Sequence, residues 1–145
     1  MMISCVVLGV AALAAAFGPQ KEESQTRILR DPWGVPHVLS ETDYGAGYGY
    51  GWALAEDRLE EALSGYWTVL GRRTEIEGEA ALDIDRTFRL LRLTKDAEAA
   101  FDRLPPLVKE VSSGFAAGIN DYMVAHPERV PSWAEPIHPA WPLAL

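Results

Sequence analysis

Three of the seven serines, those with glycine nearby, together with three histidines and two short runs of acids, are the first candidates for chemistry in this 145-residue chain. Ser64, Ser112 and Ser113 lie beside or near glycines, yet none sits in G-x-S-x-G or S-x-x-K, so each reads as a helix-surface serine and not as an activated nucleophile. His37, His126 and His138 are far apart, H-E-x-x-H is absent, and Cys5 is the sole cysteine, which leaves no zinc set. Asp83-x-Asp85 lacks the glycine and terminal glutamate of an EF-hand loop and reads as the acidic start of a helix. Glu75, Glu77 and Glu79 could in principle share general acid–base work, but a solvated loop is the plainer expectation. Gly45, Gly47, Gly49 and Gly51 do not make G-x-G-x-x-G, because positions 50 and 52 are Tyr and Trp, and no G-K-[ST] phosphate loop occurs. Spacing alone assigns no catalytic, cofactor-binding or metal-ligating residue.

The elements that would position these side chains are easier to read. Residues 26–29 and 35–39 lean towards β structure, with Pro32, Gly34 and Pro36 between them, so two strands joined by a turn near Trp33 are expected. Ser40-x-x-Asp43 resembles a capping box that starts a helix. The alternating glycines have a strand's period, but from Trp52 the apolar residues step by three and four through Ala55, Leu59, Leu63, Tyr66 and Leu70. A helix that begins among the glycines is therefore expected, its bare first turns lying close to a neighbouring sheet. Leu90, Leu93, Ala97, Phe101 and Leu104 predict a second helix ending at Pro105-Pro106. Val108, Val111, Phe115, Ile119 and Tyr122 predict a third, with Pro106 tolerated in its first turn. These last two would form an antiparallel hairpin. Beyond His126 five prolines exclude long regular elements, while Trp133 and Trp141 suggest that the tail lies over a core. The expected class is α+β, a mainly helical fragment with an N-terminal strand pair followed by three or so helices.

Composition limits the function classes. An apolar share of 48% and a charged share of 23% exclude a disordered chain, and a net charge of −8 gives no basic face for nucleic acid. The first charged residue is Lys21, and residues 5–17 are continuously small or apolar, too short to span a bilayer's hydrocarbon core. Residues 1–16 read as a signal peptide cut after Ala14-Ala15-Ala16, with an uncleaved anchor as the competing reading because the n-region has no Lys or Arg. Residues 17–145 would then be secreted or periplasmic, without a stable membrane span.

The run from Arg30 to Glu61 adds what spacing does not. Arg30-Asp31, Gly34-Val35-Pro36-His37, Gly47-Tyr48-Gly49-Tyr50 and Ala55-Glu56-Asp57-Arg58-Leu59 occur in the order found at the opening of the α chain in the penicillin acylase family, which includes acyl-homoserine-lactone acylases. The resemblance continues through Leu70-Gly71-Arg72 with Glu75 and Gly78, Asp85-Arg86, the segment from Phe115 to Tyr122 with Asn120, Glu135-Pro136 and Trp141-Pro142. It covers nearly all of residues 17–145.

That resemblance implies an αββα N-terminal-nucleophile hydrolase fold of which this is the N-terminal part of the α chain. It also implies a secreted precursor cut internally, whose β chain begins with a serine that attacks an amide carbonyl while its own α-amine acts as base. Carbon–nitrogen bonds in linear amides such as penicillins or acyl-homoserine lactones are the implied substrates, and His37 becomes a structural residue of the strand pair. Calcium is implied for the complete protein, with no ligands located in this chain. The expected partners are the rest of the α chain and the β chain, and the isolated chain is expected to be inactive and marginally folded. A truncated remnant or a secreted helical interaction module without catalysis is the alternative.

Overall fold

The structure is a computed structural model, and it describes residues 26–145. The expected signal segment, residues 1–16, lies outside the described residues. Strands β1 (Arg27–Arg30) and β2 (Pro36–Leu39) pair antiparallel, Ile28 opposite Val38 and Leu29 opposite His37. Asp31 makes the turn between them: its Oδ1 accepts from the amides of Trp33 and Val35 at 2.9 Å, and Gly34 follows in the left-handed region at φ 83°. His37 Nε2 stands 3.6 Å from the second Asp31 oxygen.

Helix α1 (Asp43–Val69) starts at Thr42, whose Oγ1 accepts from the Gly45 amide at 3.0 Å. The expected cap at Ser40 is corrected on this point. Ser40 Oγ instead bonds within its own loop, to the Thr42 carbonyl, and pairs with Thr26 Oγ1. Helix α5 (Pro106–Ala125) lies along α1. The two run parallel, since a Cβ built on Gly114 would meet Tyr44 and Tyr48, and one on Gly118 would meet Tyr48 and Trp52. This replaces the expected hairpin of the last two helices.

The alternating glycines explain that choice of partner. Two residues of helix turn through about 200°, so a period of two places Gly47 and Gly51 on one face and Gly45 and Gly49 on the opposite face. Gly47 and Gly51 meet the backbone of Val111 and Phe115, while Gly45 and Gly49 meet side chains of Ser40, Thr26 and Val38 at the strand pair. The close approach expected towards a sheet therefore occurs on both sides, and its tightest part is helix on helix. Around this seam Ala55, Leu59, Leu63, Tyr66, Trp67, Phe115, Ile119 and Tyr122 form the core.

The region between these helices departs most from expectation. Glu75 and Glu77 belong to the one-turn helix α2 (Thr74–Glu77), not a solvated loop, and Glu79 to the 3-10 turn Gly78–Ala81. The predicted helix through Leu90 and Leu104 is two elements, α3 (Leu82–Leu91) and α4 (Leu93–Phe101), broken at Arg92 in the left-handed conformation at φ 56°. Leu90 is consequently exposed, and α4 packs on the C-terminal 3-10 turn Trp141–Ala144 and not along α5. Asp83 and Asp85 do lie in the first turn of α3. The proline-rich tail covers the core as expected, Ile137 and Ala140 being buried and Trp133 meeting Trp67 edge-on at 5.1 Å.

Candidate functional site

The acids and arginines singled out in the sequence are brought together in pairs that join distant segments. Arg30 on β1 reaches α1, its guanidinium binding Glu56 and lying 2.8 Å from Asp57 Oδ1, while it also donates to the Gly34 carbonyl. Both carboxylates hold its charge firmly, pushing its pKa above the ordinary arginine value. One residue further on, Arg58 has non-helical φ/ψ (−148°, 46°), so this clasp sits where α1 bends.

Arg72 is a second clasp. It donates to Glu75 through two nitrogens at 2.8 Å and to both oxygens of Glu135 at 3.1 and 3.0 Å, with its guanidinium 5.0 Å from the Trp67 ring. The carboxyls of Glu75 and Glu135 are held below the usual range chiefly by this arginine. Asp85 is buried and accepts from the Arg73 amide (2.8 Å), the Thr74 amide (2.9 Å) and the Thr74 hydroxyl (2.7 Å), capping α2 from α3. Burial alone would raise its pKa, but these bonds hold it below the ordinary aspartate value. Asn120 fixes the tail, accepting from the Ile137 amide at 2.9 Å and donating to its carbonyl at 3.0 Å.

These bonds leave the candidate catalytic groups occupied. Ser112 is buried, which corrects its reading as a surface serine, and its hydroxyl donates to the Pro139 carbonyl at 2.6 Å. The three histidines stay apart. His37 pairs with Asp31, His126 stacks on Tyr122 at 4.4 Å, and His138 Nδ1 accepts from the Ala140 amide at 3.1 Å. Among the described residues no three His, Cys, Asp or Glu side chains converge to hold a metal ion, and both oxygens of Asp85 are committed to α2.

What the fold does build is an apolar groove of about 620 Å³ between α1, α5 and the C-terminal turn. Tyr50, Leu54 and Tyr66 supply one wall, Leu107, Val108, Val111, Ser112 and Phe115 the other, and Pro142, Leu143 and Leu145 the third. Tyr66 is 2% exposed, and burial, with the Tyr50 phenol nearby, pushes its pKa well up. On the opposite side of α1 the Tyr48 phenol is likewise pushed up to about 12, by burial and by Asp121. The groove can hold an apolar group and offer it a phenol hydrogen bond. The apolar sequence from Trp141 to Leu145 was its visible signal, but Tyr50 and Leu54 carry no mark that separates them from core residues.

Comparison with known proteins places this architecture. The sequence profile of the family described as Penicillin amidase matches residues 25–144. Among similar curated proteins is an acyl-homoserine lactone acylase PvdQ of Pseudomonas fluorescens, 29% identical over 131 residues, which are 85% of this chain and 17% of that protein. A second PvdQ, from Pseudomonas savastanoi pv. phaseolicola, is 32% identical over 124 residues, 79% of this chain and 15% of that one. An acyl-homoserine lactone acylase QuiP of Pseudomonas aeruginosa is 30% identical over 104 residues, 72% of this chain and 12% of that one. The chain thus spans less than a fifth of the length of these relatives. Among solved structures, a thermostable penicillin G acylase from Alcaligenes faecalis superposes with a TM-score of 0.73 at 25% identity, over 83% of this chain and 69% of that one. The strand pair and helices superpose on an acylase, and with the profile matching residues 25–144 the chain belongs to the penicillin amidase family.

Proposed function

We propose that this chain is the opening part of an exported acylase that hydrolyses carbon–nitrogen bonds in linear amides such as acyl-homoserine lactones or penicillins. One observation carries the reading: the family profile extends over residues 25–144, and the similar curated proteins are acylases. The nucleophile comes from polypeptide outside these 145 residues. In the proposed reaction a serine hydroxyl at a chain N-terminus adds to the amide carbonyl, its proton passing to the α-amine and on to the departing amine. Water then releases the acyl group from the serine ester. A calcium site in the complete protein draws its ligands from beyond the described residues. Residues 1–16 direct export and are removed.

The test is hydrolysis of an acyl-homoserine lactone and of a chromogenic phenylacetyl anilide. The 145-residue chain alone is expected to release no product, and the complete gene product to release amine and acid stoichiometrically. Sustained turnover by the chain alone, or none by the complete product on any linear amide, refutes the proposal. Mass analysis of protein recovered from the periplasm is expected to show an N-terminus near residue 17.

A further inference from the structure

The corner between α3 and α4 stands in water where the helical period calls for burial. Arg89, Leu90, Leu91, Arg92 and Leu93 are exposed in succession, Leu90 at 83% and Leu91 at 53%. The cause is Arg92, whose left-handed backbone at φ 56° ends α3 and turns the chain into α4. Glycine adopts that conformation freely, whereas the Cβ of an arginine opposes it. Nothing inside the fold offsets this steric cost. The Arg92 guanidinium and the Lys95 ammonium make no hydrogen bond or ion pair among the described residues. Residues 86–95 carry Arg86, Arg89, Arg92 and Lys95 and no acid, in a chain of net charge −8. Of the acids on either side, Asp83 pairs with Arg86, Asp85 is buried against α2, and Asp96 lies in the first turn of α4. Arg89 is turned to the Gly71 carbonyl, which leaves Arg92 and Lys95 as the open cations beside the two leucines.

We propose that this corner is a peripheral docking site for an anionic phospholipid surface, Leu90 and Leu91 entering the headgroup layer while Arg92 and Lys95 meet lipid phosphates. The contact lies on the bilayer and does not span it. Charge complementarity carries the choice of partner: the chain as a whole is repelled by an anionic surface, so attraction is confined to its basic corner, which then sets the orientation of approach. Shape points the same way. A projecting corner offers no concavity to a small ligand, and a fluid headgroup layer admits two leucines without having to match their outline. The docking is independent of the acylase reading.

The test is flotation of the complete gene product with vesicles of equal parts phosphatidylcholine and phosphatidylglycerol at low ionic strength. Binding is expected there, and at least tenfold less on phosphatidylcholine alone or in about 1 M sodium chloride, where the screening length is about 3 Å. Each cation at an anionic surface contributes about a factor of five, so Arg92→Gly with Lys95→Gln is expected to weaken partitioning about twenty-five-fold. Glycine keeps the left-handed turn, so this variant is expected to unfold no earlier than wild type. Leu90→Ser with Leu91→Ser is expected to lose at least tenfold. Arg58→Gln, which removes an exposed arginine on α1, is expected to change nothing. Absence of binding, equal binding to phosphatidylcholine alone, or binding indifferent to the corner variants overturns the proposal. Corner-dependent binding to soluble polyglutamate that exceeds binding to the vesicles also overturns it, assigning the corner to an acidic protein. Amide hydrolysis, measured in the same samples, separates the two readings. Vesicle binding without hydrolysis sinks the proposed function alone, and hydrolysis without vesicle binding sinks the docking alone.

Discussion

Replacing Gly51 by alanine puts the parallel contact of α1 and α5 to its sharpest test. A Cβ at Gly51 would stand 2.9 Å from the Phe115 carbonyl carbon, 3.1 Å from its Cα and closer still to its oxygen. These are backbone atoms inside a helix, so no rotamer change relieves the overlap, and the helices must separate by several tenths of an ångström or more. Separation opens the whole seam, where Gly47, Gly114 and Gly118 each have a backbone atom within 2.9 Å of their own imagined Cβ. Overpacking of this kind costs about 3 kcal/mol at the upper end of the usual range. The alanine returns about 1 kcal/mol in helix propensity, leaving a net loss of about 2 kcal/mol. Gly65→Ala is the matched control on the same helix, because its Cβ would meet only Leu145 Cδ2 at an ordinary 3.7 Å. It is expected to stabilise by up to about 1 kcal/mol. In urea unfolding followed by circular dichroism, Gly51→Ala should lower the midpoint by roughly 1 M and Gly65→Ala should raise it. A Gly51→Ala midpoint at or above wild type would refute the backbone contact, and with it the account of why the glycines alternate.

Other perturbations address the clasps. Asp85→Ala leaves the Arg73 and Thr74 amides without their acceptor inside the fold and is expected to cost about 2–4 kcal/mol, with Asp85→Asn intermediate, by the same unfolding measurement. The Asp85 carboxyl is held below its ordinary value when folded, so its contribution is complete above about pH 4, the unfolded aspartate value, and is lost as pH falls towards the folded one. Stability should therefore drop below about pH 4, and Asp85→Asn should flatten that acid limb; an unchanged limb refutes the assignment. Arg72→Lys keeps the charge but loses the paired bonds to Glu75 and Glu135, and should speed amide exchange in residues 133–137 while leaving α5 protected. Asn120→Asp removes the donor to the Ile137 carbonyl and should likewise loosen the tail, with Trp133 fluorescence reporting the change.

Much of the scaffold could be read from local pattern. The strand pair is marked by β-leaning runs around a proline and glycine turn, and the stripe from Ala55 to Tyr66 is the buried face of α1. What pattern could not supply was the partner of each face. The stripe on α5 was equally compatible with packing on α4 or on α1. The choice was decided by Gly114 and Gly118, whose missing side chains let α5 approach α1 as no leucine-faced helix could. The break at Arg92 was invisible for a related reason, since neither proline nor glycine marks it and the periodicity continues through it. Among candidate site residues, Ser112 was misjudged because burial of a serine depends on the tail folding back to offer the Pro139 carbonyl. Tyr50 and Tyr66 were read as ordinary members of a helix, and only the shape of the assembled surface distinguishes them.

The clasps also change what the family-like residues mean. Arg30 with Glu56 and Asp57, Arg72 with Glu75 and Glu135, Asp85 with α2, and Asn120 with the tail each connect segments that lie between 12 and 63 residues apart at their longest link. Several of these bonds reach exposed side chains, where an isolated pair contributes little stability. Their common effect is geometric. Arg30 holds the strand pair where α1 bends at Arg58, Arg72 and Asn120 hold the tail against the core, and the tail is what carries Pro142, Leu143 and Leu145 into the groove. Acids and arginines that look like candidates for proton transfer are thus engaged in setting the position of an apolar wall.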